Sequence, residues 1–120
     1  MAEALCARGK RRRLWPGGTL GELTALLARA DLVVGCDTGP IQIAAALGTA
    51  TLALFFASDV SRTGACGPRI VSMQAPLDCS PCLRRECPLG QQEEERPCVQ
   101  ALTVEAVFDA ATRLLEKNGK

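Results

Sequence analysis

The sequence predicts an α/β fold, a parallel sheet with flanking helices, and three observations carry that expectation. A short apolar run, Leu32-Val33-Val34, meets Gly35, then a polar turn, then a helix that opens at about Pro40. A second apolar run, Thr51-Leu52-Ala53-Leu54-Phe55, follows that helix after a short connection that includes Gly48. Continuous rather than alternating apolar runs are expected of strands covered on both faces by helices. Strand, helix and strand in this order imply a right-handed parallel crossover.

Taken in order, residues 1–18 read as a basic tail and loop, and residues 19–120 as one partial α/β domain. The tail holds Arg8-Gly9-Lys10-Arg11-Arg12-Arg13 and ends in Trp15-Pro16-Gly17-Gly18 without any apolar period. Such a run is a solvated tail or, on the sharper reading, a patch drawn to anionic phospholipid. Thr19 and Glu22 have the spacing of a capping box, and Leu23, Leu26, Leu27 and Ala30 line one face of the helix that follows. Gly35 is expected to end the first strand. Gly39 can take backbone angles closed to other residues, and Pro40 suits the first turn of the next helix. Gly48 is placed to close it.

Residues 58–68 form a loop of small and polar residues holding Asp59 and Arg62, and residues 70–73 can be a third short strand. Residues 76–98 carry proline, charge and cysteine but no apolar period, the mark of an insertion-like loop. Thr103 can N-cap a last helix whose Val104, Val107, Phe108, Ala111, Leu114 and Leu115 recur on one face, with Gly119 at its end.

With 14 basic and 13 acidic residues, the charge balance gives no case for nucleic acid. Histidine is absent, so acid–base chemistry falls to carboxylates or thiols. No apolar run has the length of a membrane span, and the mixed N-terminal hexapeptide is too short for a signal-peptide core. A cytoplasmic setting is therefore expected, with the thiols reduced. The seven cysteines then suggest metal binding, redox chemistry or core filling before disulfides. Cys79, Cys82, Cys87 and Cys98 form a C-x2-C-x4-C-x10-C array. The first pair has the spacing that lets two thiolates reach one tetrahedral metal, and two more would close a structural zinc or iron–sulfur site. Reduced thiols in a surface loop are the plain alternative. Cys6, Cys36 and Cys66 have no partners at such spacing, and Cys36 reads as a small apolar filler.

The turn Asp37-Thr38-Gly39-Pro40 admits two readings. On one, Asp37 and Thr38 serve only as helix caps; on the other, the N–H groups and positive dipole end beyond the strand hold an anion. Thr19-Leu20-Gly21-Glu22-Leu23, Ala28-Arg29-Ala30-Asp31-Leu32-Val33-Val34, this turn, Ala44-Ala45-Ala46-Leu47-Gly48 and Asp78-Cys79-Ser80-Pro81-Cys82 stand in one order over residues 19–87. In that order they resemble the C-terminal part of glycosyltransferase family 9, the ADP-heptose:lipopolysaccharide heptosyltransferases.

The resemblance implies a partial Rossmann-like domain, the nucleotide-sugar-binding half of a two-domain transferase that needs no metal cofactor. It puts Asp37, Thr38 and Gly39 at the nucleotide diphosphate, where the family has Asp-Ser/Thr-Gly-Pro-x-His. Gln42 stands in place of that histidine; it can donate a hydrogen bond but carries no charge, which implies weaker diphosphate binding. Gly18 and Thr19 match the loop beside the adenine, with a helix cap alone as the equal alternative. Arg62 matches a residue able to meet phosphate, or is simply solvated. Phe56-Ala57-Ser58-Asp59 replaces the family's Phe-Gly-Pro-Thr-Asp, which puts the shape of that turn in question.

The implied ligands are ADP-heptose or ADP, and the implied acceptor is the lipopolysaccharide inner core. The family's catalytic carboxylate belongs to an N-terminal half, so no catalytic residue is assigned here and no transferase activity is expected from these 120 residues alone. The Leu32 strand is expected to present an open sheet edge prone to self-association. The rival reading is a small metal-stabilised module built on the four-cysteine array, without transferase activity.

Overall fold

A computed structural model describes residues 9–117, with residue 93 described by its backbone alone. Cys6, Arg8 and Gly119 lie outside the described residues. The elements are α1 (Leu20–Arg29), β1 (Val33–Cys36), α2 (Gly39–Ala46), β2 (Thr51–Phe55), α3 (Val60–Thr63), β3 (Ile70–Gln74), a 3-10 turn (Glu93–Glu95), α4 (Pro97–Ala101) and α5 (Val104–Lys117). The strands form one parallel sheet in the order β1-β2-β3, so the expected fold class is the observed one.

α1 starts where the capping box puts it. Thr19 Oγ1 accepts from Glu22 N at 3.1 Å, and Glu22 Oε2 accepts from Thr19 N at 3.1 Å. A Cβ on Gly18 would run into the Glu22 carboxylate and the Trp15 ring, so glycine there lets the glutamate fold back. The expected apolar face is narrower than its spacing suggests. Leu27 is buried but Leu26 is half exposed. Leu27 O accepts from Thr49 Oγ1 at 3.0 Å, which ties the end of α1 to the connection between α2 and β2.

β1 runs on through Gly35 to Cys36, so Gly35 does not end it. A Cβ at Gly35 would stand 3.0 Å from Ile41 Cδ1, and the glycine is there so that α2 can close on the strand. β2 is the centre of the molecule, with Thr51, Leu52, Ala53 and Phe55 all buried. Ile41, Ala53 and Phe55 form the core under α2, with Val33, Val60, Ala65 and Ile70 packed around them.

The other face of the sheet is only partly covered. Register puts Val34, Leu52 and Val71 side by side on it. Leu52 is buried and α5 packs on β2 with its Leu114 buried, but Val34 remains 46% exposed and Val71 37%. β1 is thus covered on one face rather than two, and it forms one edge of the sheet. Within the stripe expected of α5, Val104 and Phe108 are exposed at 80% and 69%. The cap of α5 is as expected, with Ala106 N donating to Thr103 Oγ1 at 3.2 Å. Gly48 sits just past α2 at φ +79°, in the left-handed region that favours glycine.

Two loops hold more order than the sequence suggests. Residues 58–68 contain α3, N-capped by Asp59, and the cysteine-rich stretch ends in the 3-10 turn and α4.

Candidate functional site

The candidate site lies beyond the carboxyl ends of β1 and β2, where ligands bind in open α/β sheets. α2 begins there without a side-chain cap. Thr38 is the N-cap residue, yet its Oγ1 donates back to Cys36 O at 3.3 Å. The Asp37 carboxylate turns away from the helix, and its Oδ2 accepts from Thr63 Oγ1 at 2.6 Å. Asp37 and Thr38 therefore do not cap α2. Pro40 occupies the first turn and has no N–H to satisfy. A Cβ built on Gly39 would meet nothing within 4 Å, so the approach to this turn is open.

Gln42 sits one turn into α2 and its Nε2 donates to Thr63 O at 2.8 Å. Asp37 and Gln42 thus grip one residue, Thr63, from two sides. Their common partner fixes the last turn of α3 against the start of α2. Arg62 lies in that last turn, so the structure gathers Asp37, Gln42 and the helix that carries Arg62. Gly18 and Thr19 are engaged in the cap of α1.

The turn that lacks the family's Gly-Pro is ordered by other means. Asp59 Oδ1 accepts from Ser61 N at 2.9 Å and from Ser61 Oγ at 2.7 Å. These bonds, with a smaller contribution from the Arg62 charge, hold the Asp59 carboxyl below its ordinary pKa. Gln74, at the carboxyl end of β3, supports the same turn. Its Oε1 accepts from Val60 N at 3.2 Å, and its Nε2 lies 3.1 Å from Ser58 O, 3.3 Å from Phe56 O and 2.9 Å from Ser80 Oγ. Ser80 Oγ in turn donates to Phe56 O at 2.6 Å.

Gln74 was not singled out by the sequence. The usable signal for Gln74 was its position, a polar side chain directly after the apolar run of β3 and before Ala75-Pro76. Thr63 was legible only through the resemblance, which runs on from Arg62 into Thr63-Gly64.

Cys79, Cys82, Cys87 and Cys98 line one cavity of about 350 Å³, and Cys36, at the end of β1, lines it too. Cys36 is exposed rather than a core filler. No disulfide joins the six described cysteines, and among the described residues no three His, Cys, Asp or Glu side chains are grouped closely enough to hold a metal ion.

This geometry defines a class: a partial Rossmann-like α/β domain with its open turn at the strand ends. The chain belongs to glycosyltransferase family 9, the heptosyltransferases, whose sequence profile matches residues 2–93. It is 37% identical over 81 residues to lipopolysaccharide heptosyltransferase 1 of Pseudomonas aeruginosa, a match covering 68% of this chain and 23% of that protein. It is 27% identical over 103 residues to lipooligosaccharide heptosyltransferase 2 of Campylobacter jejuni, covering 83% of this chain and 30% of that one. The chain thus spans less than a third of either relative's length. No solved structure gives a significant match. Among the described residues no helix is long and apolar enough to cross a membrane.

Proposed function

We propose that this chain is the nucleotide-sugar-binding part of a heptosyltransferase, with the diphosphate of ADP-heptose or ADP seated on the turn from Asp37 to Gln42. The observation that carries this reading is the uncapped start of α2. In glycosyl transfer from a nucleotide sugar the leaving group is a diphosphate, and the protein must hold its developing charge. Backbone N–H groups and the positive end of a helix dipole do so without a metal. Asp37 and Thr38 direct their side chains elsewhere, which leaves that turn to the ligand.

The remaining roles follow the same reading. Gln42 retains a second amide N–H beside the one given to Thr63, and it offers that N–H to a phosphate oxygen. Arg62, exposed on α3, supplies the nearby positive charge. Gly18 and Thr19 border the adenine. The acceptor is a sugar hydroxyl of the lipopolysaccharide inner core, and the residue that activates it lies outside these 120 residues. The reaction belongs to the cytoplasmic side of the membrane. No metal takes part in it, and any zinc held by Cys79, Cys82, Cys87 and Cys98 is structural.

Calorimetric titration of the full chain with ADP tests the reading. Binding should be weak, and Gly39→Val should abolish it by filling the open approach to the turn. Gln42→His should strengthen it, most clearly below about pH 6.5, where an imidazole is charged. ADP affinity untouched by Gly39→Val would refute the assignment. The rival reading, a metal-stabilised module, requires one metal ion per chain and no ADP affinity.

A further inference from the structure

The cavity between the strand ends and the cysteine-rich segment contains a group that the diphosphate reading does not use. Arg96 lines this cavity, and its Nε is buried with no hydrogen-bond partner. A guanidinium N–H withdrawn from water normally has an acceptor, because desolvating a cationic donor is offset only when something accepts from it. Glu94 also lines the cavity but does not partner that nitrogen. No cysteine sulfur partners it either. Arg84 adds a second positive charge to the wall.

The rest of the lining suits a small molecule. Phe56, Leu89, Pro97 and Val99 give it an apolar surface, and a volume of about 350 Å³ is that of an ordinary ligand pocket. Cys36 and Phe56 place the cavity at the carboxyl ends of β1 and β2, the side on which open α/β sheets take ligands.

We propose that this cavity is an anion subsite, taking the phosphate or carboxylate of a small ligand whose body rests on the apolar wall, with Arg96 as the residue that binds the charge. A guanidinium presents paired N–H groups that match two oxygens of either anion. The subsite goes beyond the diphosphate turn, because its charge comes from the cysteine-rich segment and not from α2.

The test uses the Nε–H resonances of arginine in the full chain, followed by NMR during titration with inorganic phosphate and, separately, with acetate. The Arg96 signal is identified by its loss in Arg96→Lys. It should shift saturably with one or both anions, and the preferred anion separates phosphate from carboxylate. Arg96→Gln should weaken that anion's binding, followed by backbone amide shifts around the cavity, by about tenfold or more, as removal of a charge-assisted bond does. Gly39→Val should leave it unchanged. If Arg96→Gln does not fold, the same weakening is expected of Arg96→Lys, which keeps the charge but not the Nε donor.

The subsite is overturned if neither anion saturates the shift, or if the Arg96 variants bind as the parent does. Loss in Gly39→Val alone would put the anion on the α2 turn, overturning the subsite while leaving the diphosphate reading intact. One zinc per chain on elemental analysis, with all four thiols ligated, would make a tetrathiolate centre the acceptor and overturn it too.

Discussion

The stretch from residue 19 to residue 75 and the cysteine-rich segment from residue 76 to residue 102 are held by different kinds of bond. In the first, three parallel strands share a ladder, the connections are short, and Phe55, Leu52 and Ile41 are almost wholly buried. Its order comes from backbone pairing and apolar burial. In the second, none of the residues whose burial is described is fully buried, and the regular structure is one 3-10 turn and a five-residue helix. That segment is fastened to the strand ends by a few polar contacts. Gln74 and Ser80 form one set, and Leu83 N donates to Ala57 O at 2.8 Å with Leu83 at φ 58°, a conformation leucine adopts at a cost of about 1–2 kcal/mol. The cavity lined by Cys36, Phe56 and the four cysteines sits on the seam between the two.

The comparison breaks most visibly in the core. Phe55→Ala should destabilise the whole chain by about 3–5 kcal/mol, a large part of the stability of a domain this size, and urea denaturation should show one cooperative loss. Gln74→Leu should cost less, about 2 kcal/mol, and its effect should be local. Hydrogen exchange should rise around residues 56–60 and 77–83, while the amides of β2 remain protected. Equal exchange across the sheet would mean that the two regions form one unit.

At the far end of the first region, Thr19→Ala removes one half of the α1 capping box. A loss of about 1 kcal/mol in thermal unfolding is expected, with the Asp37 turn undisturbed. The smallest effect belongs to Asp59. Its carboxyl is held below its ordinary pKa in the folded chain, chiefly by Ser61. The stability it adds is therefore present above the unfolded pKa and is lost as pH falls through the lower, folded one. Asp59→Asn should lower the melting temperature slightly at pH 7, and the gap from the parent should close as pH falls through the lowered, folded pKa.

What the sequence made legible follows the same division. The α1 cap, the limits of β2, the glycine after α2 and the cap of α5 all depend on local spacing, and each stands where its residues put it. Gly35 misled because glycine more often ends a strand than makes room for a helix; the Ile41 contact that explains it is tertiary. The exposed Val34 and Phe108 show the limit of apolar periodicity, which marks a face without saying what covers it. In the site, Asp37 and Gln42 were legible by motif. Their shared grip on Thr63 was not, because it joins residues 26 and 21 positions apart through one hydroxyl and one carbonyl. The cysteine spacing was legible as an array, and the structure adds that its four thiols and Cys36 face one cavity.

The central claim is that the uncapped start of α2 holds a nucleotide diphosphate. Backbone amide shifts of the full chain, followed by NMR during titration with ADP, test it most directly. The account predicts saturable shifts concentrated at Thr38, Gly39, Ile41 and Gln42, with a smaller response at Arg62 and Thr63. Saturable ADP binding that leaves those amides unmoved, or no ADP binding at millimolar concentration, would contradict it.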